Sequence, residues 1–228
     1  CAVDGYVERC SLWSLNKKKQ RQQLLSVGEL DLDRLATFDD VPPGETLHLR
    51  IVDKPLDAVE YQRWRQLPDR PEFHAPGRFT RVGLVSRLAS SLFNISLLVR
   101  GTVPGGTVAA ADLKYREIRE ADPRYVYYGR VLRQGGYTIL HYLFFFAMND
   151  WRSSFFGIND HEADWEQCFI YLADSEEGLR PYWVAFASHD YSGDDLRRRW
   201  DDPDLTLVDG RHPVIYAGAG SHASYFIK

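Results

Sequence analysis

The run Asn159-Asp160-His161-Glu162-Ala163-Asp164-Trp165-Glu166 packs acids around a single histidine, and Gln167-Cys168-Phe169-Ile170-Tyr171-Leu172 follows it directly. Read with a period of two, the second part is a strand. Asp164, Glu166, Cys168, Ile170 and Leu172 fall on one face, and Trp165, Gln167, Phe169 and Tyr171 on the other. Two carboxylates side by side at the entry of a strand repel unless a positive charge sits between them or one takes up a proton. His161, placed in the loop just upstream, brings an imidazole nitrogen towards the same point. One nitrogen and two carboxylates make a mostly hard metal-ligand set. The competing reading is a solvated strand end whose acids pair with arginines. Trp165, on the opposite face, is expected to be a packing residue whose truncation costs about 3–5 kcal/mol.

The flanking elements must bring further groups to that point. Tyr125 to Arg133, the Gln134-Gly135-Gly136 turn and Tyr137 to Met148 read as a hairpin. The second strand is apolar on both faces, as in a covered central strand. It ends in Asn149-Asp150-Trp151, so Asp150 becomes a fourth candidate ligand if the two strands are neighbours. Tyr182 to Ser188 alternates and delivers His189; Pro213 to Ala217 is another apolar strand, leading through Gly218-Ala219-Gly220-Ser221 to His222. These two histidines, like His161, stand at strand-loop junctions, and His189 and His222 are the candidate catalytic groups if the site is an enzyme's. His48, His74, His141 and His212 lack such surroundings and are read as structural.

The rest of the chain bounds the answer. With 228 residues, 44% hydrophobic and 14% aromatic, there is ample chain for a real core. A net charge of −4 gives no nucleic-acid footprint. Lys17-Lys18-Lys19-Gln20-Arg21 is expected on a solvated helix face, Thr46 to Val52 as a short strand and Leu56 to Arg65 as a short helix. Val82 to Val99 reads as an amphipathic helix buried against the sheet, since Arg81, Arg87 and Asn94 disfavour a membrane span. Thr107 to about Ala121 reads as a further helix. The acid-base-acid block from Asp194 through Arg197-Arg198-Arg199 to Asp204 is expected to be a surface helix capped by its own charges. Cys1 and Cys10 are candidates for a disulfide, Cys1 alternatively for lipid modification, and Cys168 for a small core residue. The start at Cys1 and the apolar run before Lys228 suggest a piece of something longer.

The fold class expected is α+β: an antiparallel β-sandwich core over about 124–228, with a helical or mixed N-terminal region over 1–123 packed on it. The order Tyr137 to Phe146, Asp150, His161-x-x-Asp164-Trp165-Glu166, Ser188-His189 and a Gly-Ser-His222 loop resembles the necrosis-inducing cytolysin family and the related vacuolar-protein-sorting-type domain. The resemblance covers roughly residues 124–228. It implies a β-sandwich with a divalent cation, magnesium or calcium before zinc or manganese, held at one end by Asp150, His161, Asp164 and Glu166. The chain departs from the cytolysin pattern ahead of the motif, with Asn-Asp-His-Glu-Ala in place of Gly-His-Arg-His.

Three functions stand open at this point. The first is a cation-dependent module that holds a lipid headgroup or glycan at a membrane or cell surface, in a secreted or surface setting. The second is a metal-dependent hydrolase in which a metal-bound water attacks and His189 or His222 assists. The third is a structural cation that pins loop 151–160. No Gly-x-Ser-x-Gly elbow and no phosphate loop is present, which favours the first over an enzyme. The oligomeric state is left open.

Overall fold

The computed structural model describes residues 1–68, 106–149, 161–187, 197–218 and 220–227. The expected helix Val82–Val99, Asp150 and His189 lie outside them. The protein is α+β, with antiparallel sheets and helices of one to four turns. The chain divides into two compact units, Cys1–Tyr125 with Ala147–Asp164, and Val126–Phe146 with Trp165–Lys228.

The first unit opens with α1 (Val3–Val7), β1 (Ser11–Leu15), β2 (Arg21–Leu25), α2 (Leu32–Ala36), β3 (Thr46–Arg50), α3 (Ala58–Arg65) and α4 (Gly106–Ala121). The three strands form one antiparallel sheet in the order β2-β1-β3. The basic run expected on a helix is instead the turn between β1 and β2. Asn16 decides this. Its side-chain oxygen accepts the N–H groups of Lys18 and Gln20 at 2.9 and 3.0 Å, and Lys19 turns to a φ of 61°. A side chain that satisfies the backbone two and four residues on stabilises a turn at the expense of a helix. Among the described residues the N-terminal region therefore holds a three-stranded sheet beside its helices.

The short helix expected after Leu56 is present and has a full capping box. Asp57 accepts from Val59 and Glu60 N–H at 2.8 Å each, and Glu60 reaches back to Asp57 N–H at 2.9 Å. It is tied to α4 through Trp64, whose indole N–H donates to Asp112 at 2.7 Å while Arg116 holds the same carboxylate at 3.1 Å. α4 buries Ala109, Ala110, Ala111 and Ile118. At its start Gly106 is required by close approach, because a Cβ there would lie 2.8 Å from the carbonyl oxygen of Leu56.

The strands β4 (Tyr128–Gln134), β5 (Tyr137–Asn149), β6 (His161–Ser175), β7 (Gly178–Phe186) and β8 (Arg197–Arg199) pair in that order in one five-stranded sheet, and Tyr128–Phe146 and everything from Trp165 onward belong to the second unit. The hairpin between β4 and β5 turns on Gly135 and Gly136, both at positive φ, with Gln134 opposite Tyr137. Two left-handed residues are what a tight turn between twisted strands needs, so Gln-Gly-Gly was a sound signal. One face of the sheet carries Cys168, Ile170, Val184 and Phe186, with Leu140, Tyr142 and Phe144 packed against them. That face is covered by Leu205, Leu207, Ile215 and Phe226, and Phe226 stacks on Phe186 at 4.1 Å. The covering layer holds two short ladders, β9 (Leu207–Val208) with β10 (His212–Pro213) and β11 (Tyr216–Ala217) with β12 (Ser224–Tyr225). The strand expected over Pro213 to Ala217 is thus split, with Val214 and Ile215 between its two pieces.

The arginine block is a strand and not the helix expected of it. β8 pairs with β7, Arg199 opposite Trp183 and Arg197 opposite Ala185. Alternation then sends Arg198 over the ring of Phe226 at 4.9 Å, and Arg197 and Arg199 over Trp183 at 5.6 and 5.9 Å. Arginine stems covering aromatic rings explain why so charged a stretch pairs with the sheet. His141, buried in β5, is structural as expected. Arg130 donates to its Nδ1 at 3.0 Å, which leaves Nε2 to donate to Gln167 at 2.8 Å.

Trp165 does lie on the face away from the carboxylates, but it is 41% exposed, with its ring against Phe145 at 4.9 Å and Tyr128 at 5.7 Å. The full cost expected of a buried tryptophan is therefore too large. In chemical denaturation we expect Trp165→Ala to lose about 1–2 kcal/mol from its ring contacts, and Phe186→Ala to lose about 3–5 kcal/mol. Equal losses would contradict the burial described.

Candidate functional site

Burial along β6 reports which of its side chains meet the core. Asp164, Glu166, Cys168 and Ile170 are buried, and each residue between them is more open. The two carboxylates are 5% and 4% exposed, and Asp164 accepts a hydrogen bond from the Asn149 amide at 3.4 Å. Charged carboxylates this deep cost several kcal/mol each unless paired or hydrogen-bonded. The strand phase read from the sequence is the one found.

The histidines are placed differently from one another. His161 is the first residue of β6 and not a loop residue; its ring is exposed, with Nδ1 3.4 Å from the carbonyl oxygen of Glu162. His222 stands in the 218–223 turn at a φ of 56°, and its ring lies flat on Phe146, 3.9 Å between centroids and 2° between planes. Gly218 closes that turn by accepting from His222 N–H at 2.9 Å and donating to Ala223 at 2.8 Å. Asp150 follows Asn149 in sequence and, with His189, lies outside the described residues. Among the described residues no three His, Cys, Asp or Glu side chains stand in metal-holding proximity. The structure thus brings Asp164 and Glu166 to one buried face and does not bring the described His161 to them.

One acid was missed. Glu162 reaches residues more than a hundred positions upstream: Oε2 accepts the Ile51 N–H in a short hydrogen bond and the Tyr6 hydroxyl at 3.4 Å, and Oε1 accepts the Val52 N–H at 3.3 Å. Burial raises its pKa above the ordinary carboxylate value, an effect that the Ile51 and Val52 N–H groups oppose in part. Burial also raises the pKa of Tyr6 and pushes the Cys10 thiol, which hydrogen-bonds Tyr6, up to about 12. No sequence signal pointed to these partners, because none is local to Glu162.

Between Glu162 and Asp164 the backbone leaves ordinary strand geometry. Ala163 has a φ of 62°, a left-handed conformation that costs an L-residue about 1–2 kcal/mol. A single such residue interrupts the alternation of a strand, so Glu162 and Asp164 need not share a face. Their different partners, Tyr6 with Ile51 and Val52 for one and Asn149 for the other, agree with that.

No protein-family model, no curated protein and no solved structure matches the chain.

Two outcomes follow from this geometry. Ala163→Gly removes the Cβ from a left-handed position and should raise stability by about 1 kcal/mol; a loss would contradict the backbone described. Cys1, Cys10 and Cys168 form no disulfide with one another, so the candidate Cys1–Cys10 bridge is absent here. Cys10 and Cys168 are buried, with their pKa values pushed up to about 12. Iodoacetamide at pH 8 should therefore modify Cys1 alone in the native protein and all three after denaturation. Rapid native labelling of Cys10 or Cys168 would show that the burial is wrong.

Proposed function

We propose that this chain is a divalent-cation-binding module that uses the bound ion to recognise a lipid headgroup or glycan at a membrane or cell surface. The observation that carries the reading is the burial of Asp164 and Glu166 on one face of β6. Two carboxylates side by side at that depth form a hard donor pair, which suits one doubly charged ion. Carboxylate oxygens suit magnesium or calcium. The amide of Asn149 orients one Asp164 oxygen, as hydrogen-bonded partners of ligating carboxylates do. Asp150, next in sequence after Asn149, is the natural third oxygen ligand. The resemblance of His161-x-x-Asp164-Trp165-Glu166 to the cytolysin motif supports the same site. The exposed ring of His161 makes it the weakest member of that set, which favours an oxygen-binding ion over zinc.

The test is thermal unfolding in EDTA and then with magnesium, calcium, manganese or zinc. An ion bound only by the folded state contributes about 2.7 kcal/mol at a hundred times its Kd, which for a chain of this size is a rise in midpoint of roughly 5–10 °C. We expect that rise with magnesium or calcium, and its loss in the Asp164→Asn, Glu166→Gln double variant. Each protein is compared with itself in EDTA, so that the midpoint shift on adding ion, and not the starting stability of the double variant, is the readout. No shift with any ion, or an equal shift in the double variant, removes the proposal. Co-sedimentation with anionic vesicles that EDTA abolishes would support the surface ligand; an ion that stabilises the fold while vesicle and glycan binding are absent would reduce the site to a structural one.

A further inference from the structure

We propose that Glu162 is a positioning residue for the cation site, holding the first residues of β6 so that Asp164 is presented apart from it. This inference rests on the cation reading of Asp164 and Glu166. In an uninterrupted strand Glu162, Asp164 and Glu166 would share one face, and three carboxylates in a row would repel one another. The left-handed backbone of Ala163 separates the first from the other two. A strained residue of this kind persists only where its surroundings over-determine it.

Glu162 supplies that determination. The ladder between β1 and β3 ends at the Ser11–Arg50 pair, and the next two amides, of buried Ile51 and Val52, run past it. The Glu162 carboxylate takes both, one on each oxygen, and the hydroxyl of buried Tyr6 on α1 closes on Oε2. Buried backbone N–H groups must find acceptors, so these bonds fix Glu162 as firmly as they satisfy Ile51 and Val52. Both oxygens of Glu162 are engaged by groups of the first unit, which gives it a positioning role. Its role is to fix where β6 begins and therefore where Asp164 stands.

The experiment compares wild type, Glu162→Ala and Glu162→Gln in the full chain by two readouts. The first is Mn²⁺ affinity, measured by the paramagnetic resonance of the free ion. The second is amide hydrogen exchange in EDTA at Ile51, Val52 and residues 161–166. Groups that orient ligands typically affect affinity by 10–100-fold. We expect Glu162→Ala to weaken Mn²⁺ binding by that order and to speed exchange at Ile51, Val52 and residues 161–166, without loss of cooperative unfolding. Glu162→Gln retains one carbonyl acceptor and should fall between the two in both readouts; if Glu162→Ala does not fold, Glu162→Gln carries the comparison. Unchanged Mn²⁺ affinity beside an intact wild-type site overturns the proposal. If wild type binds no Mn²⁺, the cation reading fails on its own, and unchanged exchange at residues 161–166 overturns the positioning role separately.

Discussion

A strand that carries acids at its entry and an apolar face further along imposes one constraint on everything around it. In β6 the buried face runs from Asp164 and Glu166 into Cys168 and Ile170 without a change of phase. The apolar end is secured by the core of Val184, Phe186, Leu205 and Phe226, and burying it drives the strand into place. The acidic end is carried inward with it. The cost of burying polar groups there must then be offset by hydrogen bonds or paired charge. Asn149 supplies one such hydrogen bond to Asp164, and the neighbouring Glu162 is satisfied separately by Ile51, Val52 and Tyr6.

Local signals in the sequence were read well where the chemistry is itself local. Gly135 and Gly136 specify a tight turn through their backbone freedom, and Asp57 with Glu60 specifies a helix start through two reciprocal hydrogen bonds. Lys17 to Arg21 misled because its charge pattern suits a solvated helix, while the deciding group, the Asn16 side chain, lies one residue outside the run. The block at Arg197 to Arg199 misled for a different reason. Its partners, Trp183 and Phe226, are not neighbours in sequence, and only the sheet brings rings under those guanidinium groups.

The candidate site divides in the same way. Period two was enough to place Asp164 and Glu166 on one buried face and Trp165 on the other, because alternation is a property of the strand alone. It could not foresee Ala163 in a left-handed conformation, since alanine gives no hint of one. Nor could it find the partners of Glu162, which come from α1 and the end of β3. The parallel stacking of His222 on Phe146 is likewise a tertiary fact, and it engages the ring of a candidate catalytic residue.

The most direct measurement is an anomalous difference map from crystals of the wild-type protein grown with Mn²⁺, whose scattering marks the ion itself. One strong peak is expected, with oxygen ligands from Asp164 and Glu166 at roughly 2.0–2.6 Å, the range of hard divalent ions. A map with no peak at these carboxylates, and with an arginine guanidinium between them instead, would contradict the cation reading.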